Sequence, residues 1–303
     1  MIALMLAVVT IVFFPGIIVR VKSIVSGRKG PGILQPWKNI FLLLKKGSVF
    51  STTTSYIFRI APVIYLATLI CAILLLPFPG LNTGIAFGAD FVLLAYLLAL
   101  GKFFFIVGAL DTGSSFEGMG ANREALYSML AEPAFFILVG TLALLTGHMS
   151  MESIFAHFQL SGYGPIISGV IAVYILMQIA MIENSRMPVD DPKTHLELTM
   201  IHEVMILDNS GFDLALIQIG TNLKFALYGI LIANILIPPV WAIQYRLVVF
   251  FGIQAVFAGS IGLMESFRAR KKMMKNPQFI VTLSSIALVA FILALLMTYQ
   301  MIR

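Results

Sequence analysis

Three glutamates, Glu117, Glu124 and Glu132, recur 7 and 8 residues apart, close to whole helical turns, so a continuous helix would carry them along one side. A second group follows within "ENSRMPVDDPKTHLELTMIHEVMILDNSG" (183 to 211): Glu183, Arg186, Asp190, Asp191, His195, Glu197, His202 and Glu203. Clustered carboxylates raise one another's pKa towards neutrality, and histidine titrates nearby, so such groups can pass protons. Arg123 and Arg186 are the cations available to orient these acids. Zinc-protease chemistry is excluded, because "HEVMI" places Ile206 where the second ligand of H-E-x-x-H must stand. Asp190, Asp191, His195 and His202 could in principle hold magnesium or zinc, but nothing in their spacing demands it.

The rest of the chain explains why these groups stand out. It is 59% hydrophobic and only 11% charged over 303 residues, with a mean hydropathy of +0.98. Soluble domains carry about 25% charge. Eight apolar windows approach the roughly 20 residues needed to cross a bilayer as a helix: about 2–19, 57–78, 91–110, 133–147 (reaching back to 122), 163–182, 214–236, 244–264 and 279–300. The runs are unbroken, whereas membrane strands alternate in short segments. The fold class is therefore an all-α integral membrane protein, one transmembrane domain over 1–303. The first window is a retained span, since its first charge, Arg20, follows the apolar stretch instead of preceding it.

Eight spans sort the loops onto two sides. Loops 20–56, 111–132, 183–213 and 265–278, with Arg59, carry 16 of the 20 Lys and Arg, which places them in the cytoplasm and both termini outside the cytoplasmic membrane. Two of these loops are purely basic surfaces suited to anionic lipid: Arg20 to Lys46, and Arg268 to Lys275. Ile33, Leu34, Trp37, Ile40, Phe41 and Leu44 lie opposite Lys38 and Lys45, the pattern of a short interfacial helix. The other two loops hold eleven acids against Arg123, Arg186 and Lys193. Acids contribute little to topology, so their excess has another cause; a hydrated acidic funnel is the expected one.

Several local expectations follow. Gly118 and Gly120 place the start of the fourth long helix after Glu117, and Pro133 removes a ladder bond and kinks that long helix where it enters the membrane. Asp191-Pro192 reads as a helix start, with the helix running to about Leu207 and putting His195 and His202 on one face. Asp213 or Ser210 caps the next span. Within the spans, Lys102 and Lys224 each cost about 2.5 to 3.5 kcal/mol on insertion, so they either snorkel or continue a polar path into the bundle. With one cysteine, Cys71, the chain can build neither a disulfide nor an iron–sulfur site, and any redox centre belongs to a partner. No Gly-rich phosphate loop, half-to-half repeat or nucleic-acid surface is evident.

"GRKGPGILQPWKNIFLLLKKG" (27–47), "FEGMGANREALYSMLAEP" (116–133) and residues 183–229 together resemble the membrane-anchor subunit of group 4 membrane-bound NiFe-hydrogenases of the formate hydrogenlyase type. That subunit is the counterpart of the quinone-chamber subunit of respiratory complex I. The complex I pattern E-x-x-R-x-P-F-D-x-P-E is met by Glu183, Arg186, Pro188, Asp190 and Pro192, with Val189, Asp191 and Lys193 departing from it. The passage from Gly30-Pro31-Gly32 straight to Leu34-Gln35-Pro36 lacks the longer complex I insertion and favours the hydrogenase branch. The resemblance implies a non-redox subunit with no cofactor or catalytic centre of its own. Its partners would be the large NiFe subunit, the small iron–sulfur subunit and antiporter-like membrane subunits, and it would link electron transfer to proton or sodium translocation. A quinone-chamber subunit of a complex I-type enzyme, or a freestanding transporter or metal-dependent membrane enzyme, are the alternative readings.

Overall fold

The computed structural model describes residues 2–81, 85–160, 162–190, 200–269 and 272–302. Among these, eight helices are long and apolar enough to cross a membrane. In chain order the elements are α1 (Ile2–Val25), α2 (Gln35–Leu44), α3 (Tyr56–Leu75), α4 (Asp90–Asp111), α5 (Ser115–Thr146), α6 (Met151–His157), α7 (Tyr163–Glu183), α8 (His202–Met205), α9 (Gly211–Leu236), α10 (Ile243–Phe267) and α11 (Asn276–Ile302). The chain is thus a multi-pass, all-α membrane protein, as its hydropathy requires, and the short α2 forms where its amphipathic pattern predicts a helix.

The bundle is organised around α9. Within its most apolar window 78% of residues are buried, against 28% to 56% in the other spans, and it touches α1, α2, α3, α7 and α10. In lipid there is no hydrophobic drive between helices, so close approach depends on small residues. Gly220 supplies it: a Cβ there would come 2.5 Å from Tyr65 Cε1, so only glycine lets α9 lie flush on α3. α3 runs along α4, α5 along α11, and α1 along α10, which leaves lipid-facing apolar residues on the outer helices.

Three helical expectations need correction. α5 begins at Ser115, so Glu117 lies in its first turn and the helix continues through Gly118 and Gly120; Pro133 lies inside this long helix, as expected. Gly120 is there for packing: a Cβ would meet the Ile201 carbonyl oxygen at 2.9 Å and Met205 Cγ at 3.0 Å. A continuous helix from Asp191 to Leu207 is also ruled out. Met200 and Ile201 are non-helical, and α8 starts only at His202 because Asp190 Oδ2 accepts the N–H groups of Ile201 (2.9 Å) and His202 (3.3 Å). Finally, Ser210 occupies the N-cap of α9 without capping it; its hydroxyl is engaged by the Val49 N–H (3.0 Å) and donates to the Val49 carbonyl (3.3 Å).

Candidate functional site: a buried ion-pair cluster between two cavities

α4, α5, α7 and α9 each send one charged side chain to a common point below the polar loops. Lys102 Nζ stands 2.9 Å from Glu124 Oε1 and 2.9 Å from Glu183 Oε2, and Lys224 Nζ reaches the same Glu183 oxygen at 3.4 Å and the Glu183 carbonyl at 3.2 Å. Two lysines and two glutamates make the cluster formally neutral. Lys102 and Lys224 are 4% and 2% exposed, which rules out snorkelling for both. Taking such ions out of lipid and water is tolerable only because each finds an opposite charge and further hydrogen bonds. Ser128 donates to Glu183 Oε1 at 3.1 Å, and Lys224 lies 5.5 Å from the Tyr65 ring centroid.

The remaining oxygen of Glu124 is held by an unusual backbone. α7 ends with Arg186 N–H on the Met181 carbonyl and Ser185 N–H on the Ile182 carbonyl, the paired bonds of a Schellman motif. Its left-handed residue is normally glycine, yet here it is Ser185 at φ +46°. A side chain costs about 1–2 kcal/mol in that conformation. What the serine supplies is a hydroxyl that donates to Glu124 Oε2 at 2.8 Å.

Above the cluster lies a cavity of about 460 Å³ between α1, α2, the 184–190 segment, α8 and α9. Asn39, Ser185, Arg186, Asp190, His202 and Glu203 line it. Beside the cluster a second, small cavity of about 50 Å³ is lined by Ser128, Glu132, Glu183 and Tyr228, enough for a water or two. Glu183 therefore touches one space and Ser185 the other, with Lys102 and Glu124 between them.

Of the residues expected to carry chemistry, Glu124, Glu183, Lys102 and Lys224 come together in one contact network. Asp190, His202 and Glu203 line the large cavity instead. Glu132 is exposed on the flank, 80° around the helix from Glu124 at 100° per residue, and meets the cluster only through the small cavity. Glu117 is 1% exposed and stands apart, where Oε1 accepts the Asp208 N–H at 3.1 Å. Asp111 caps α3 through the Ser55 and Phe58 N–H groups, a structural duty. Arg123 orients no carboxylate in the described contacts; it donates to the Met200 carbonyl at 3.0 Å and so steadies the bend before α8. Asp191, His195 and Glu197 lie outside the described residues.

His202 corrects the expectation of a near-neutral titration. Its ring stacks on Phe105 at 5.2 Å, and burial pushes its pKa down to about 4; nearby Glu124 opposes the shift, while Lys224, Lys102 and Arg186 reinforce it. The ring is therefore neutral at pH 7, an uncharged donor and acceptor at the cavity wall.

Arg186 does orient an acid, but one that reading the sequence missed. Glu265 on α10 has a fully buried side chain, 2.6 Å from Lys22 on α1 and 3.1 Å from Arg186. Arg186 also lies 5.3 Å from the Phe225 ring centroid. The available signal was a lone acid at the end of an apolar span, directly before five basic residues at positions 268 to 275.

Comparison with known proteins identifies the family of the chain. The NADH dehydrogenase family model matches residues 1–299. Hydrogenase-4 component C of Escherichia coli is 32% identical over 225 residues, covering 74% of this chain and 70% of that protein. Formate hydrogenlyase subunit 4 of the same organism is 28% identical over 220 residues, 72% of this chain and 70% of that one. NADH-ubiquinone oxidoreductase chain 1 of Cyanidium caldarium is 24% identical over 208 residues, 66% of this chain and 59% of that one. Among solved structures, a chain of the membrane-bound sulfane sulfur reductase, an archaeal respiratory membrane complex, superimposes with a TM-score of 0.81 over 96% of this chain and 98% of its own, at 19% identity. That likeness is one of fold. The chain belongs to the NADH dehydrogenase family, alongside the hydrogenase-4 and formate hydrogenlyase components to which it is similar.

Proposed function

We propose that this chain is the membrane-anchoring, ion-coupling subunit of a membrane-bound group 4 NiFe-hydrogenase complex. One observation carries the reading: the polar contacts run without a gap from the large cavity through Ser185, Glu124, Lys102 and Glu183 to the small cavity at Glu132. The large cavity opens among the charged loops, where a hydrophilic arm bearing iron–sulfur clusters and the NiFe centre would sit. Glu132 is exposed on the flank of the bundle, where an antiporter-like membrane subunit would dock. A proton arriving at Glu124 would weaken its hold on Lys102 and strengthen the pairing of Lys102 with Glu183. The cluster thus converts a charge change under the arm into one at the flank. The higher identity to the two hydrogenase components than to the NADH-ubiquinone chain favours this branch of the family. The basic bias of the loop side supports insertion in the cytoplasmic membrane with that side inward and both termini outward.

The test is Glu183→Gln in the intact complex. Assembly with the hydrophilic arm should persist while ion-coupled turnover collapses, and undiminished ion translocation would remove the relay. Loss of the arm on purification would make the cluster a docking element instead.

A second reading rests on the large cavity itself. Its size falls within the roughly 300–1,000 Å³ of small-molecule pockets, so a quinone headgroup would fit. Extracting the purified complex for quinone separates the two. The polar lining of Asn39, Ser185, Arg186, Asp190, His202 and Glu203 supports water over an isoprenoid.

A further inference from the structure

At the end of the bundle remote from the charged loops, α5 stops at Gly147, whose backbone is left-handed (φ +71°). The chain then turns into α6, and this turn brings His148 and His157 face to face, ring centroids 4.1 Å apart and planes 36° apart. Half of the chain's four histidines meet here, far from the ion-pair cluster.

The pair is held in place by α6. Ser150 caps that helix by accepting the Ser153 N–H at 3.2 Å, and Asp90 Oδ1 on α4 accepts the Met151 N–H at 2.7 Å. Met151, Ile154 and Phe155 are buried beneath it, which turns His157 outward on the last turn.

The tautomer of His157 follows from its partner. Nδ1 lies 2.9 Å from the Ser153 carbonyl oxygen. A carbonyl can only accept, so Nδ1 carries the hydrogen and the lone pair of the neutral ring is on Nε2. Anchoring one ring N–H on a carbonyl is how proteins fix an imidazole whose other nitrogen binds a metal. Two imidazoles bound to one tetrahedral ion at about 2.0–2.1 Å hold their ligating nitrogens roughly 3.3 Å apart, so the stacked rings must part, His148 turning about its own side-chain bonds while His157 keeps its Ser153 anchor. His157, though not His148, borders a largely apolar cavity of about 570 Å³ in which Gln159 and Thr298 supply polar groups.

We infer that His148 and His157 form a binding site for a borderline divalent transition-metal ion, Zn²⁺ or Cu²⁺. No group of three or more His, Cys, Asp or Glu side chains suited to a metal occurs among the described residues. The site therefore supplies two imidazoles and leaves the other positions to water, an open and exchangeable centre.

The experiment uses the untagged full-length chain in its complex, stripped with chelator in mild detergent and titrated with Cu²⁺. The expected result is one Cu²⁺ whose electron paramagnetic resonance spectrum shows coupling to two nitrogens. That species should be lost in His148→Gln/His157→Gln, and affinity should fall by at least the roughly 10–100-fold that losing a mere outer partner of a metal ligand costs. An unchanged spectrum and affinity in the double variant would overturn the site. If the variant does not assemble, wild-type complex treated with diethylpyrocarbonate decides the matter: Zn²⁺ should protect both histidines from modification, and equal modification with and without Zn²⁺ rules the site out.

Discussion

Two carboxylates in this bundle sit between two cations each, and they are built for different ends. Glu183 is shared by Lys102 and Lys224, and Glu265 by Lys22 and Arg186. Around Glu183 a second acid, Glu124, competes for the same lysine, serine hydroxyls hold the spare oxygens, and cavities lie on both sides. Around Glu265 the charges sum to one excess positive, and one of the cations is an arginine, which does not give up its proton. A lysine between two acids has two comparable arrangements and can report a charge change. An acid between two cations on α1 and the loop after α7 has one arrangement, and it fastens those segments to α10. The first is suited to a relay, the second to a clamp.

The comparison can be broken by mutation. The largest effect on coupling is expected for Glu183→Gln in the assembled complex: ion-coupled turnover lower on the order of 100-fold, the scale of a lost proton-transfer group, together with a lower melting temperature, because Lys224 loses the carboxylate it is paired with. Glu265→Ala should differ from it in sparing turnover. It strands Lys22 and Arg186, so unfolding in detergent should become easier by about 3–5 kcal/mol, while complex that survives retains most of its turnover. Equal losses of turnover in the two variants would erase the distinction.

A smaller effect concerns His202. Its folded pKa of about 4 lies below the ordinary 6.5, so between these values the unfolded chain binds the proton more readily. The stability it contributes is whole above pH 6.5 and drains as pH falls towards 4. His202→Gln should flatten the pH dependence of the melting temperature in that window, and an unaltered slope would mean that the ring is not held neutral. The smallest expected effect is that of Ser185→Gly. Glycine relieves about 1–2 kcal/mol of backbone strain but removes the hydroxyl from Glu124. The variant should be as stable as the parent or more so, yet slower in coupled turnover, and unchanged turnover would show that the strained serine serves no purpose at Glu124.

Much of the bundle was legible in the chain. Each span lies where an apolar window of the required length lies, because a bilayer admits few alternatives, and α2 follows from one amphipathic stripe. Glu124, Glu183, Lys102 and Lys224 stood out because charge is expensive in or beside a span. Glu265 did not, since its meaning depends on Lys22, 243 residues away. Glycine frequency misled at Gly120, where tight packing against Ile201 and Met205 rather than helix breaking is the reason for the residue. Ser185 carried no signal at all, its role resting on a backbone angle and one hydroxyl contact.

What the amino-acid order determined by itself was the solvent of this protein, the number of its crossings and the end at which its charge gathers, all consequences of how costly polar groups are in hydrocarbon. What only the tertiary structure decided was which charge meets which. Four helices far apart along the chain converge on Lys102 and Glu183, and a turn at the opposite end joins His148 to His157. Periodicity gives the face a residue occupies on its own helix, but the rotation of one helix against another is set by close packing at points such as Gly220, and that rotation chooses the partners.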